Sequence, residues 1–180
     1  MLHKISTASF VGAIGAALAF IAPAAAQEAA GAADQPGADD ALKATHGDWE
    51  VRCAGEGEDV CYISQVLEND EGAPLIRAVV RPVPENSQAV GLMALQAPLG
   101  VVLTRGLQMQ VDAGETTTAP YTYCVQNGCY AQIGLAPEGL ARLERGAGAR
   151  ITVYSVQQPD EPVQADLSLI GFTKAFDEIR

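Results

Sequence analysis

The four cysteines are the residues whose type and spacing first suggest chemistry. Cys124 and Cys129 are separated by four residues that end in Asn127-Gly128, a strong hairpin signal. Such cysteines can serve a redox enzyme, bind zinc, or hold a turn as a structural disulfide. Their spacing is not Cys-x-x-Cys, and no basic residue beside them lowers a thiol pKa. The pattern therefore favours a structural disulfide in a β-hairpin over residues 120–132.

The cysteine pairing is open from spacing alone, because four cysteines allow three connectivities. A hairpin with a four-residue loop would place Cys124 opposite Cys129, within disulfide reach. A two-residue turn just before Cys129 would instead oppose it with Gln126 and strain the bridge. Cys53 and Cys61 end and begin successive predicted strands, so they can also pair locally. We predict the disulfides Cys53–Cys61 and Cys124–Cys129.

Other residue patterns typical of catalysis or metal binding are weak. Beyond the N-terminal segment His46 is the one histidine, and it lies at the expected edge of the domain. Acidic clusters within residues 56–59 and 68–71 lack the order of an EF-hand loop, and no phosphate-binding or dinucleotide motif occurs. We therefore predict no catalytic residue, metal or cofactor, and a protein that is not an enzyme. The alternative is a hydrolase that uses carboxylates alone.

Basic and aromatic residues suggest a surface for a partner. Arg77 and Arg81 lie four residues apart in a predicted strand, so they share a face, and Arg105 is a third basic residue in an acidic chain. Tyr121 and Tyr123 are also expected to share a face, by the period of two of a strand. These five residues either form a partner surface or have structural roles, the arginines pairing with acidic loops and the tyrosines packing in the core or at an edge.

The net charge of −11 argues against two large classes of partners. Binding to nucleic acid or to anionic lipid needs clustered Lys and Arg. The N-terminus has a short positive start, a run of small and apolar residues over 8–21, and Ala24-Ala25-Ala26 after Pro23. That order is typical of a cleaved export signal. We predict a signal peptide over residues 1–26, cleaved after Ala26, and a periplasmic or secreted protein with no transmembrane segment.

Short alternating segments separated by Gly, Pro and Asn dominate the rest of the chain. In residues 48–53, for example, Trp49, Val51 and Cys53 alternate with charged residues. This pattern predicts an all-β sandwich of about eight short strands in one domain over residues 46–180. Residues 137–146 predict one short helix, and a short turn or helix is expected at the C-terminus. Residues 27–45, rich in Ala, Gly and Asp, predict a disordered tether.

Several of these stretches resemble the invasion-associated locus B family of exported bacterial proteins. The matching residues are the signal peptide, 47–53, Cys61 with Gln65, 98–101, 110–112, 123–124 with 128–129, 171–173 and 175–177. The resemblance implies an Ig-like β-sandwich in the periplasm or at the outer envelope, and it supplies no catalytic residues. The family takes its name from a role in host-cell invasion.

Together, these observations suggest a non-enzymatic envelope protein that binds a protein or surface component, including in host-cell interaction. The hydrolase is one alternative. A structural or stress-linked periplasmic protein without a tight partner is the other.

Overall fold

The computed structural model describes residues 40–55, 60–84 and 87–180, which form eleven strands and two α-helices. The strands are β1 (Ala41–His46), β2 (Trp49–Ala54), β3 (Val60–Glu68), β4 (Pro74–Pro82), β5 (Gly91–Ala97), β6 (Leu107–Val111), β7 (Thr116–Ala119), β8 (Tyr121–Val125), β9 (Gly128–Leu135), β10 (Gly148–Tyr154) and β11 (Pro162–Ser168). The helices are α1 (Pro137–Arg145) and α2 (Phe172–Ile179). The predicted signal peptide and residues 27–39 of the predicted tether lie outside the described residues.

The strands form two antiparallel sheets. The long sheet has the order β1-β2-β3-β4-β5-β9-β8, and the short sheet has the order β11-β10-β6-β7. The chain passes from the short sheet to the long one at Pro120, between β7 and β8. The predicted β-sandwich is confirmed. Within the described residues, no helix is long and apolar enough to cross a membrane.

The strands form where apolar residues alternate with polar ones. In β2, Trp49, Val51 and Cys53 are buried, while Glu50 and Arg52 are half-buried. Because successive side chains of a strand point to opposite faces, this period turns one face of each strand towards the core. For the first strands of the long sheet, that inner face contacts α2, and β3 and β4 also contact β11.

Two parts of the predicted secondary structure need correction. The structure has eleven strands, whereas about eight were expected. The short turn or helix expected at the C-terminus is α2. Residues 41–45, predicted as part of a disordered tether, lie in β1, which pairs with β2. Most β1 side chains are exposed, which agrees with the absence of an amphipathic period in this part of the sequence. Its backbone is instead held by pairing with β2, and Tyr62 Oη donates a 2.7 Å hydrogen bond to the adjacent Asp40.

Both predicted disulfides are present. Cys53 pairs with Cys61 across β2 and β3, and Cys124 pairs with Cys129 across β8 and β9. The hairpin loop is shorter than predicted, because Val125 and Gly128 also pair and leave two residues in the turn. The cysteines are nevertheless opposite each other, since this turn lies one residue earlier than the Asn127-Gly128 signal suggests.

The two sheets are joined through the peptide groups of Ser168, at the end of β11. Its carbonyl oxygen accepts hydrogen bonds from Trp49 Nε1 at 2.9 Å and from Gln65 Nε2 at 3.1 Å. Its amide donates to Gln65 Oε1 at 2.9 Å. Gln65 is one of the buried polar residues, and these bonds satisfy both ends of its side-chain amide.

The turn before α2 packs closely against the turn between β1 and β2. Gly171 has φ 86°, and a Cβ there would lie 2.0 Å from the carbonyl oxygen of His46. Gly47 has φ 58°, and a Cβ there would lie 2.2 Å from the carbonyl oxygen of Ile170. The helix that follows packs Phe172 against Trp49, with ring centroids 5.2 Å apart. Both turns therefore require glycine, for backbone conformation and for space.

We expect Gly171→Ala to lower the free energy of unfolding by more than about 2 kcal/mol, because the new methyl group adds a steric clash to a strained left-handed residue. Gly139→Ala in α1 is the matched control, since a Cβ there meets nothing within 4 Å. It should raise the free energy of unfolding by about 0.5–1 kcal/mol. Urea denaturation of both variants measures the difference, and equal effects would contradict this packing.

Candidate functional site

The outer face of the long sheet carries Arg77 and Arg81. Their neighbours on β4, including Ile76, Ala78 and Val80, are buried on the inner face, so the two arginines point outwards, as their spacing predicts. Strand register then places Arg77 in a line of side chains that crosses five strands. We call this line the outer row: Val66 on β3, Arg77 on β4, Gln96 on β5, Tyr130 on β9 and Tyr123 on β8.

Arg77 is a half-buried cation without an anionic neighbour. Its Nε atom is buried and has no hydrogen-bond partner, and no ion pair to its guanidinium occurs within residues 40–55, 60–84 and 87–180. Arg52, half-buried on the same sheet, differs because its Nε donates to Glu50 at 2.8 Å. Buried charges in proteins are normally paired. The surroundings of Arg77 therefore leave room for an anion that the described chain does not supply.

Two stacked tyrosines occupy the other end of the outer row. The rings of Tyr123 and Tyr130 are parallel to within 19°, with centroids 4.9 Å apart. Burial raises the pKa of Tyr130, and a hydrogen bond with Asn127 and the nearby Arg77 charge act in the opposite direction. Tyr123 is 37% exposed. This end of the outer row is therefore aromatic and lies next to the polar side chains of Gln96 and Arg77.

A groove of about 330 Å³ runs beside Arg77. Its walls come from the start of β4, the end of β5 and the hairpin turn, and they include Val66, Pro74, Leu75, Gln96, Pro98 and Asn127. Gln96 Nε2 donates a 2.7 Å hydrogen bond to the carbonyl oxygen of Asn127, which ties the hairpin turn to β5. The groove thus combines mainly apolar walls with one guanidinium and two amide side chains.

Tyr121 and Tyr123 do not share a face, in contrast to the sequence prediction. A register shift between them places Tyr121 opposite Ala131, on the inner face, and Tyr123 opposite Tyr130, on the outer face. Tyr121 packs against the core, and burial raises its pKa to about 12. Its hydroxyl is buried without a hydrogen-bond partner. The β-bulge therefore assigns Tyr121 to the core and Tyr123 to the surface.

Arg105 lies apart from the outer row. It ends a short 3-10 helix (Leu103–Arg105) before β6, and its guanidinium stacks 3.7 Å above the ring of Tyr154 in the short sheet. Its Nη1 also donates to the carbonyl oxygen of Pro159 at 2.6 Å. These contacts give Arg105 a local structural role. Of the five residues proposed for a partner surface, Arg77, Arg81 and Tyr123 remain together on one face.

A second groove, of about 550 Å³, is lined by acidic side chains. They are Asp48, Glu50, Glu68, Asp70 and Asp166. All but Glu50 are exposed, and Glu50 pairs with Arg52. A carboxylic acid that donates a proton near neutral pH must be desolvated, which these are not. Within the described ranges no cluster of three or more metal-ligating side chains occurs, and the acidic cluster at residues 56–59 lies outside them.

Sequence reasoning missed the contributions of Val66 and Gln96 to the outer row. Both residues sit between buried neighbours in alternating strands, so their outward direction was readable from the period of two. Their proximity to Arg77 was not readable, because it depends on the registers that join β3, β4 and β5.

Removing the unpaired hydroxyl of Tyr121 should stabilise the protein. We expect Tyr121→Phe to raise the free energy of unfolding by about 1 kcal/mol, because a buried hydroxyl without a partner is costly. Tyr62→Phe is the control and should lower it by a similar amount, about 1 kcal/mol, since Tyr62 loses its bond to Asp40. Urea denaturation at neutral pH measures both changes. Destabilisation by Tyr121→Phe would show that the hydroxyl has a partner.

The same variant should alter the alkaline stability of the protein. Unfolded Tyr121 loses its proton near pH 10.0, whereas the folded residue keeps it to about 12. The folded state therefore binds more protons in this window, and stability falls as the pH rises through it. Tyr121→Phe should reduce that loss in urea denaturation at stepped alkaline pH.

Comparison with known proteins gives consistent results. A family model described as "Invasion associated locus B (IalB) protein" matches residues 49–180. The Invasion protein B homologs of Brucella abortus strain 2308 and of Brucella abortus biovar 1 strain 9-941 are each 28% identical to this chain over 165 residues. Each alignment covers 91% of this chain and 93% of the relative.

The fold also has a counterpart among solved structures. The crystal structure of invasion associated protein b from Bartonella henselae matches with a TM-score of 0.65 and 23% identity. The match covers 77% of this chain and 96% of the Bartonella chain. At this level of identity the likeness shows a shared fold. The family match extends over most of the sandwich, and the chain belongs to the invasion associated locus B family.

Proposed function

We propose that this protein is a non-enzymatic component of the cell envelope that binds a protein or surface component through the outer row. The observation that carries the proposal is Arg77, a half-buried cation with a buried Nε–H and no anionic neighbour among the described residues. A partner that supplies an anion removes this deficit. The adjacent groove and the exposed ring of Tyr123 add apolar contact area.

Export to the periplasm or the outer envelope is part of the proposal. All four cysteines of the chain are in disulfides, and such bonds persist in oxidising compartments outside the cytoplasm. The N-terminal residues have the order of a cleaved signal peptide. Residues 27–39 would then connect the processed N-terminus to β1.

The names of the relatives favour a partner met during host-cell interaction. Both Brucella proteins are called invasion protein B homologs, and the Bartonella protein is called invasion associated protein b. A carboxylate hydrolase is less well supported, because the acid-lined groove has mostly exposed carboxylates. A structural or stress-linked role differs from our proposal in one respect: it requires no saturable partner.

Site-specific photo-crosslinking in intact cells tests the proposal. A photoreactive amino acid at Val66 or at Tyr123 should capture a discrete partner, and capture should saturate as the expression of the labelled protein increases. The matched control is Leu103, which is 53% exposed, as is Val66, but lies on the short 3-10 helix away from the outer row. Mass spectrometry of the crosslinked species identifies the partner.

Two outcomes would contradict the proposed function. Equal capture from Val66 and Leu103 would show non-specific collision. Absence of a discrete species from both outer-row positions would favour a structural protein without a tight partner.

A further inference from the structure

We infer that the groove beside Arg77 accepts the carboxylate of an acidic side chain in an extended segment of a partner protein, with an apolar or aromatic side chain of that segment against Tyr123. This inference rests on the proposed function and specifies the chemistry of its partner. It follows from three features of the outer face: the unpaired cation, the shape of the groove and the distance across the strands.

The unpaired cation sets the charge of the ligand. Arg77 is half-buried in a chain of net charge −11, yet no carboxylate pairs with it among the described residues. Three other described arginines have such partners: Arg52 pairs with Glu50, Arg150 with Asp166, and Arg180 with Asp177. The described arginines Arg105, Arg142 and Arg145 have no carboxylate partner either, but they are exposed to water. Arg77 differs from them because its guanidinium is half-buried as well as unpaired. This leaves a site that a ligand anion completes.

The orphaned Nε–H favours a planar anion. A guanidinium that engages a carboxylate in bidentate fashion uses two parallel N–H groups, one of which is often Nε–H. Here Nε is buried and unpartnered, so a carboxylate that draws the guanidinium towards the groove satisfies it. A Lys ammonium has no such fork, and for that reason the identity of the residue matters as well as its charge.

The groove is large enough to admit a side chain. Its volume of about 330 Å³ is at the lower end of ligand pockets. Val66, Pro74, Leu75 and Pro98 contribute apolar walls that suit the methylene groups of Glu. Gln96 and Asn127 also line the groove, and Gln96 lies between Arg77 and Tyr130 in the outer row.

Strand spacing sets the distance between the two contacts. From β4 to β8 the outer row crosses three strand intervals of about 4.8 Å, which places Arg77 and Tyr123 roughly 14 Å apart. An extended peptide advances about 3.4 Å per residue, so four residues cover that distance. Side chains four apart on an extended peptide also point the same way. The preferred segment therefore has an acidic residue and an apolar or aromatic residue at positions i and i+4.

The test uses the disulfide-bonded protein purified after export and a defined peptide probe. The probe is an acetylated, amidated pentapeptide with Glu first, Phe last and Ser or Thr between them. NMR titration follows the Nε–H resonances of the arginines, with Arg77 assigned from the Arg77→Lys spectrum. We expect the Arg77 signal to shift on saturable binding and the Arg145 signal to stay in place. Replacing Glu by Gln in the peptide should weaken binding by about tenfold or more.

Variants separate charge from geometry. Arg77→Gln should abolish peptide binding, and Arg77→Lys should weaken it about tenfold despite retaining the charge. Arg145→Gln, a charge-matched change at an exposed helix residue, should bind like the native protein. The amide spectrum of each variant checks that the sandwich is folded. Moving Phe one residue closer to Glu should also weaken binding, because the ring then points away from Tyr123.

Several results would overturn the inference. They are equal binding of the Glu and Gln peptides, an unmoved Arg77 resonance at saturation, no binding at millimolar peptide, or inorganic phosphate that binds at Arg77 as tightly as the peptide. The proposed function is tested separately from this inference. If Val66 and Tyr123 still capture a partner in cells that carry Arg77→Gln, the outer row binds a partner and the carboxylate assignment alone is wrong.

Discussion

The hydrogen bonds around Ser168 are the contact on which the arrangement of the sandwich depends. Gln65 and Trp49 belong to the long sheet, Ser168 ends the short one, and the hydrogen bonds between them are partly buried. Each bond stabilises by about 1 kcal/mol, but leaving a buried amide unpaired costs about 1–3 kcal/mol. The network therefore acts mainly by excluding other arrangements. Because Trp49 also contacts Phe172, the same bonds fix where α2 begins.

The side chains that these hydrogen bonds hold on the inner face determine which side chains point outwards. Gln65 points inwards to Ser168, so its neighbour Val66 must point outwards, beside Arg77. A slip of one residue between β3 and β4 would reverse the faces of one of the two strands. It would therefore either bury the Arg77 cation or expose the Gln65 amide that joins the sheets, so the pairing register is strongly constrained. The outer row is thus a consequence of the core. Of the strands that carry it, β3 and β4 pack against α2 and β11 on their inner face.

The features predictable from sequence are those governed by local period and spacing. The disulfides, the sandwich and α1 follow from alternation, turn signals and a proline at a helix start. Tyr121 and Tyr123 were expected to share a face and do not, because one bulged residue between them reverses the direction of the side chains. β1 was missed because its stability comes from backbone pairing rather than from an apolar face. The isolation of Arg77 was unpredictable, since it depends on which side chains other strands bring near.

The net charge of the protein is negative, whereas its candidate site carries a positive charge. Which of the two dominates the interaction with an acidic partner depends on the distance of that partner. A chain of net charge −11 repels an acidic partner, but at physiological ionic strength that repulsion decays over about 8 Å. A contact to a half-buried guanidinium acts at hydrogen-bond distance in a poorly solvated site, where salt screens it much less. The overall charge should therefore lower the association rate without weakening the final contact, which is governed by dissociation. The inferred contact would let such a surface reject acidic molecules in general and retain those whose carboxylate fits the groove beside Arg77.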